Sequence, residues 1–498
     1  MMVERLTKRR FLKGVVSAGG VLAFAPLLAA CGSATAPTPA PAKPTEAPKP
    51  AAGGEPTKAT EAPKPTAAAK PTEAAKPAEA PKPTSVPAAK PGAAKEPVTI
   101  RLHLRGGGEQ SEPAIYVMRP DEWAQETGNK VKREEIVGDY VGKVLALAAG
   151  NTLGDVMFTG ESLSQHSRFV RGNLIEPVED YLGPFNVKKT EYVQAIVDTL
   201  TYNGKMYGLP KCGHPGACFI AVNLKMLDEA GIKRPQPDGS HTFADVSSWA
   251  VKLAKGPAEN RDVYGYRVEY SEDGARAVCH AMGSQVISDD GMKSLADSDP
   301  VYEWAKWSNQ FINVDKVHPA AAALQGQGVE GVFAAGKLAM FQIARSVVRP
   351  IRLAVKDKFE WGVIMMPRAA KPVGWGSRVD THSVTTQSKH KDVAFSLIYA
   401  MADRRFAYLV AKEQGYLTGR VDNMEAIKEL ASDPFLQLQA KAGNEEAAFN
   451  KAKNLRTEEF WTAWTNHMDL LWLGKRQLDK AFMAELKKVT DEVLAKPA

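Results

Sequence analysis

The cysteines are the first residues whose surroundings suggest chemistry. Cys31 follows Leu28-Ala29-Ala30 and precedes Gly32, at the end of an apolar stretch from Val15 to Ala30. That stretch follows a basic start (Arg5, Lys8, Arg9, Arg10, Lys13) and is broken by Gly19-Gly20 and Pro26. It is too short and too rich in small residues for a membrane span, and fits the h-region of a signal peptide. Small residues directly before a cysteine there make a lipobox. The expectation is a signal peptide over residues 1–30 and a lipidated Cys31.

Cys212 and Cys218 lie six positions apart. In an exported protein they could close a small disulfide loop; the alternative is a loop thiol at Cys212 and a small buried strand residue at Cys218. His214 lies between them, but no ligand pairing of a zinc-finger type accompanies it, so no metal site is assigned. Gly106-Gly107-Gly108 follow an alternating run, Val98 to Arg105, that reads as a half-buried strand. Neither GK[ST] nor GxGxxG is present, so the glycines read as a turn at the carboxyl end of a strand, where open α/β sheets bind ligands. Glu109 is placed there as a candidate ligand residue. Glu161, just past the buried run Val156 to Phe158, reads either as a cleft residue or as a solvated loop acid. Asp289-Asp290 would suit paired acid/base work, but Asp-Asp-Gly is more often a turn. With no HExxH, GxSxG or supported Cys–His arrangement, no enzyme activity and no cofactor are assigned. An exported hydrolase remains the competing class, because glycosidase carboxylates have no fixed spacing.

Thr7-Lys8-Arg9-Arg10-Phe11-Leu12-Lys13 resembles a twin-arginine export signal; aligned on Phe-Leu-Lys, the pair is Lys8-Arg9, and Sec export is the alternative. Residues 31–97 are nearly all Ala, Pro, Lys, Thr and Glu and repeat imperfectly (Lys43 to Pro50, Lys58 to Pro65, Lys70 to Pro77). Such a segment cannot bury enough apolar surface to offset its ordering entropy, and proline biases it toward an extended form reaching roughly 200 Å at most. It reads as a disordered tether. Leader and tether hold the whole formal charge of +7, leaving residues 98–498 neutral, so a nucleic-acid footprint is not supported.

From Val98 onward, runs of apolar strands alternate with helices, the pattern of an α/β protein. Residues 203–254 organise it: a turn at Asn203-Gly204, the text Tyr207-Gly208-Leu209-Pro210, an apolar strand to Val222, a helix closed by Gly231, and a helix start at Thr242 with Asp245 three residues on. With Gly331 to Phe341 (GVFAAGKLAMF), and the text around Asp155 and Gly172, this order resembles the bacterial extracellular solute-binding proteins of ABC importers, the maltose-binding-protein-like group. The resemblance covers about residues 98–498. Val222 stands where the family usually has Tyr.

The resemblance implies a two-lobed periplasmic-binding-protein-like fold with a ligand cleft between the lobes. It implies lobe 1 from 98–211 and 344–405, lobe 2 from 212–343 and 406–498, and crossings near 210–215, 342–346 and 403–416. Glu109, Glu161, Arg345, Trp375, Arg378 and Trp461 are the expected ligand residues, with Trp304, Trp307 and Trp464 as core. The Trp375 ring, between Gly374 and Gly376, reads either as a cleft platform or as a loop residue pinned to the surface. The function implied is a monomeric, membrane-tethered receptor that binds a carbohydrate or related polyol and hands it to permease subunits; no nucleic-acid partner is expected. Arg345 and Arg378 keep an anionic organic solute open, and a metal receptor on the same fold is a third reading.

Overall fold

The computed structural model describes residues 96–106, 115–160, 163–375, 377–430, 432–444, 454 and 456–497. The segments expected as signal peptide and tether, with Cys31, lie outside them. Among the described residues no helix is long and apolar enough to cross a membrane.

The chain begins with strands β1 (Thr99–Gly106), β2 (Lys130–Val137) and β3 (Val156–Phe158), which pair in parallel with β1 in the middle. A hairpin of β4 (Thr201–Tyr202) and β5 (Lys205–Met206) follows. Its turn needs two left-handed residues, supplied by Asn203 at φ 49° and Gly204 at φ 77°. Strand β6 (Cys212–Pro215) carries the chain out of lobe 1. Lobe 2 then builds β7 (Phe219–Asn223), β8 (Tyr264–Arg267), β9 (Leu338–Ile343) and β10 (Trp361–Met365), in the order β10-β7-β9-β8. Strand β11 (Ser377–Asp380) returns antiparallel to β6, and β12 (His382–Val384) joins the edge of the first sheet beside β3.

Local chemistry sets many element ends. Thr242 caps the helix Phe243–Leu253: its Oγ1 accepts from Asp245 N at 3.1 Å, and Asp245 Oδ2 accepts from Thr242 N at 2.8 Å. Two otherwise orphaned amides are thereby satisfied. Gly336, at φ 71°, turns the helix Gly328–Ala334 into β9. Asp289-Asp290-Gly291 is a turn: Asp290 Oδ1 accepts from Ser288 Oγ and Met292 N, and Asp289 binds Gln285. Asp155 is structural, taking Arg101 N at 2.9 Å and Ser388 Oγ at 2.6 Å.

The two cores correct the expected boundaries. Lobe 1 draws its core from Ile100 to Cys212 and from Val379 to Tyr416. Lobe 2 draws its core from Cys218 to Trp375 and from Phe435 to Leu494. The segment 344–375, expected in lobe 1, belongs to lobe 2 because β10 pairs with β7 along five residues and buries Ile364 and Met365. The helix Arg404–Gln414, expected mostly in lobe 2, packs Phe406, Leu409 and Val410 into lobe 1. The second crossing is therefore at β11 and not at 342–346, and the third lies beyond Tyr416.

Candidate functional site

Strand register shows where a cleft must lie. In lobe 2, Phe219 at the start of β7 faces Ile343 at the end of β9, and β8 runs parallel to β9. The carboxyl ends of β8 and β9 therefore point back toward the crossing. In lobe 1, His382, entering from β11, faces Phe158 at the end of β3, and β1 runs parallel to β3. Both sheets aim their carboxyl ends at the crossing, the usual place for a ligand on open α/β sheets.

At the lobe 2 end lies a cavity of about 260 Å³, lined by residues that include Arg267, Glu269, Ser271, Gln342, Ala344 and Ser346. Gln342 organises it. Its buried amide donates to Ala217 O at 2.7 Å and accepts from Glu269 N at 3.1 Å. Arg267 Nη1 is ion-paired with Glu269, whose other oxygen accepts from Ser271 N at 3.1 Å. Burial pushes the Glu269 carboxyl up, but the Arg267 charge and the Ser271 bonds outweigh it and hold the group below its ordinary value. Behind the pair, His318 accepts from Val268 N at 3.1 Å and is pushed down to about 3 by burial and by Arg267, so it is neutral. Tyr270, partly exposed, rests on Trp472 and His318 with ring centroids 5.9 and 5.8 Å away.

The lobe 1 end is built differently. The Phe158 ring lies under Arg105 Cζ at 5.0 Å and Lys211 Nζ at 5.2 Å, with the His382 ring edge-on at 5.7 Å. Burial, then the Lys211 charge, holds His382 well below its ordinary value. Neither ring nitrogen of His382 has a hydrogen-bond partner among the described residues. Across the cleft, Arg168 of the lobe 1 helix Leu163–Arg171 meets Glu458 of the lobe 2 helix Thr457–Trp472 at 3.0 Å. Among the described residues, no group of three or more His, Cys, Asp or Glu could hold a metal ion.

The model of the bacterial extracellular solute-binding proteins matches residues 108–414, more than half of the chain. The chain belongs to this family. Its fold is shared with solved solute-binding proteins of low sequence identity. An ABC substrate-binding protein from Listeria monocytogenes, in complex with cycloalternan, is 18% identical with a TM-score of 0.68, over 80% of this chain and 98% of that one. A solute-binding protein of an ABC transporter from Thermotoga lettingae, bound with α-D-tagatose, is 19% identical with a TM-score of 0.66, over 80% and 100%. The GacH receptor of Streptomyces glaucescens, studied unliganded and with acarbose, is 16% identical with a TM-score of 0.67, over 80% and 99%. No curated protein sequence matches the chain.

Of the six expected ligand residues, the side chains of three are described, and none of those three lines the lobe 2 cavity. Glu109 and Glu161 lie outside the described residues. Arg378 pairs with His214 on the crossing strands, and its side chain is likewise outside them. Arg345 does not line the cavity between its neighbours Ala344 and Ser346; it is buried under the crossing, donating to Leu417 O and the Cys212 sulfur. Trp375 is fully buried in the lobe 2 core, with no ring face left for a solute in this conformation. Trp461, 7% exposed, packs edge-on to Phe460 and Trp464, and its indole N–H has no hydrogen-bond partner among the described residues. The Cys212–Cys218 bridge is not formed. Both are thiols, because Cys212 faces Arg345 in the crossing while Cys218 has already entered the lobe 2 core. Sequence reading missed Arg267 and Glu269; the stretch 342–346, expected at the cleft floor, does supply Gln342, Ala344 and Ser346 to the lining. The available signal was polar residues at the carboxyl ends of two strands; which strands would be neighbours was not readable.

Proposed function

We propose that the protein is a membrane-tethered receptor of an ABC importer, which holds a carbohydrate or related polyol between its lobes and delivers it to permease subunits. The observation that carries this reading is the lobe 2 cavity at the carboxyl ends of β8 and β9. Its Arg267–Glu269 pair, the Gln342 amide, the Ser271 and Ser346 hydroxyls and the further carboxylates of Asp273 and Glu330 offer mostly acceptors, with a few donors, to a neutral solute's hydroxyls. Such groups match vicinal hydroxyls, and a charged partner makes the stronger hydrogen bonds. Sugars bound in the Listeria and Thermotoga relatives support the solute class. Trp461 is the proposed aromatic contact. Solute touching both lobes favours the closed arrangement in proportion to its differential affinity. Lipidation at Cys31 and docking on a permease complete the proposal.

A second reading, an anionic organic solute, is favoured by Arg105, a half-buried cation over the Phe158 ring at the lobe 1 strand end. The deciding experiment is the melting temperature of the protein against neutral oligosaccharides, polyol phosphates and organic acids. A ligand at 100 times its Kd adds about 2.7 kcal/mol, a rise of several degrees. A rise with sugars alone supports the first reading and a rise with acids alone the second. Hydrolysis of a sugar polymer would overturn the receptor as the sole function.

A further inference from the structure

Arg345 stands where three parts of the molecule meet. Its backbone neighbours Ala344 and Ser346 line the lobe 2 cavity. Its guanidinium donates through Nη2 to Cys212 on β6, the first crossing, and through Nη1 to Leu417 O at the start of the third. The same group lies over the Tyr416 ring, 4.1 Å from its centroid. Cys212 is in turn the register partner of Asp380 on β11, the second crossing. Leu417 N donates to Gln439 Oε1 at 3.2 Å, and Gln439 Nε2 donates to Gly415 O at 3.0 Å, so the third crossing is held against the helix Pro434–Asn444 as well. Only 3% of Arg345 is exposed.

A planar guanidinium can hold two acceptors and one ring in fixed relative positions, which an ammonium on a flexible stem cannot. We propose that Arg345 is the positioning residue of the hinge, fastening the first and third crossings to the lip of the lobe 2 cavity, so that occupancy of the cavity and the angle between the lobes are read by one side chain. The occupancy half rests on the receptor reading; the fastening half does not. Changing the lobe angle changes what Leu417 and Cys212 offer the guanidinium, and moving Ala344 or Ser346 moves the guanidinium itself. Both ends thus bias one bistable joint, which is what coupling between sites requires.

The test uses Cys212 as a built-in reporter. The intact protein is labelled with Ellman's reagent under native conditions, and each thiol is read by peptide mass mapping. Cys218 and Cys279, both fully buried in lobe 2, serve as internal controls. Arg345→Met is expected to raise Cys212 labelling about tenfold through local opening while the two controls stay slow. Arg345→Lys, which keeps the charge but not the fork, should restore it only in part. Unchanged Cys212 labelling, or all three thiols rising together, would overturn the proposal. Should Arg345→Met fail to fold, Tyr416→Leu removes the supporting ring and is expected to raise Cys212 labelling about threefold by the same local opening. The coupling is tested without solute. Ser346→Trp, which fills the cavity, should change Cys212 labelling in the Arg345 protein and leave it unchanged beside Arg345→Met; an equal effect in both backgrounds overturns the coupling. Because no solute is needed, these outcomes stand apart from whether the receptor reading holds.

Discussion

The two faces of the cleft solve one problem in different ways. The lobe 2 face is a cavity in which Glu269 holds Arg267 and the Ser271 amide, and Gln342 holds the Glu269 amide, before any solute arrives. The lobe 1 face is an aromatic ring under two cations, with a neutral buried histidine beside it. The difference implies a division of labour. A preorganised hydrogen-bonding cluster costs little to align, so lobe 2 would hold solute in the open form. The lobe 1 group, with Phe158, Lys211 and His382 all fully buried, packs its side of the cleft from within.

The largest test of that contrast is Arg267→Met. It leaves Glu269 in the cavity without its ion-pair partner, and breaking such a pair is strongly destabilising when it is buried. Because both side chains keep some exposure, at 17% and 24%, about 2 kcal/mol is expected in urea unfolding, with a loss of solute affinity of roughly thirtyfold. A loss of stability without a loss of affinity would break the assignment of the binding face to lobe 2.

Next comes pH. His318 behind the lobe 2 pair and His382 beside Phe158 are both depressed from 6.5, the first to about 3. A depressed histidine takes up its proton in the unfolded chain first, so stability is full above the unfolded value and is lost as pH falls below it. Between pH 6.5 and 5 each should cost about 2 kcal/mol. His382→Phe is expected to flatten the fall in melting temperature between pH 7 and 5. An unchanged slope would show that His382 is charged in the folded protein.

Lys211→Met should cost about 1–2 kcal/mol in urea unfolding, the order of a desolvated cation over Phe158, with little loss of sugar affinity. A much larger loss that grows as salt is lowered would favour the anionic solute instead. The smallest effect is expected at the mouth. Arg168 and Glu458 are 38% and 55% exposed, so a double-mutant cycle should give about 0.2–1 kcal/mol. A coupling well above that would make this pair a latch and not a surface contact.

How much could be read beforehand follows the range of the forces involved. The hairpin at Asn203-Gly204, the cap at Thr242 and Asp245, and the stop at Gly336 were legible because backbone dihedrals and end amides are satisfied within a few residues. The ordered motifs from Tyr207 to Phe341 likewise led to the family and the two-lobed fold. Arg345 and Trp375 were misplaced for one shared reason. Local text puts both in loops after strands, yet β10 returns to β7, so the chain stays in lobe 2 for about 30 residues longer than expected. That keeps Trp375 in a core and turns Arg345 under the crossing.

By itself, then, the amino-acid sequence determined the strand and helix series from Thr99 onward, the turns and caps that separate them, and the kind of cleft such a series can form. Tertiary structure alone decided which strand ends became neighbours. It therefore decided that Arg267 would meet Glu269 beneath Gln342, and that Arg345 would meet Cys212 and Leu417, residues 133 and 72 positions away. Pairings over such separations depend on the register of whole sheets and on how two cores close over them, and no short stretch of sequence carries that information.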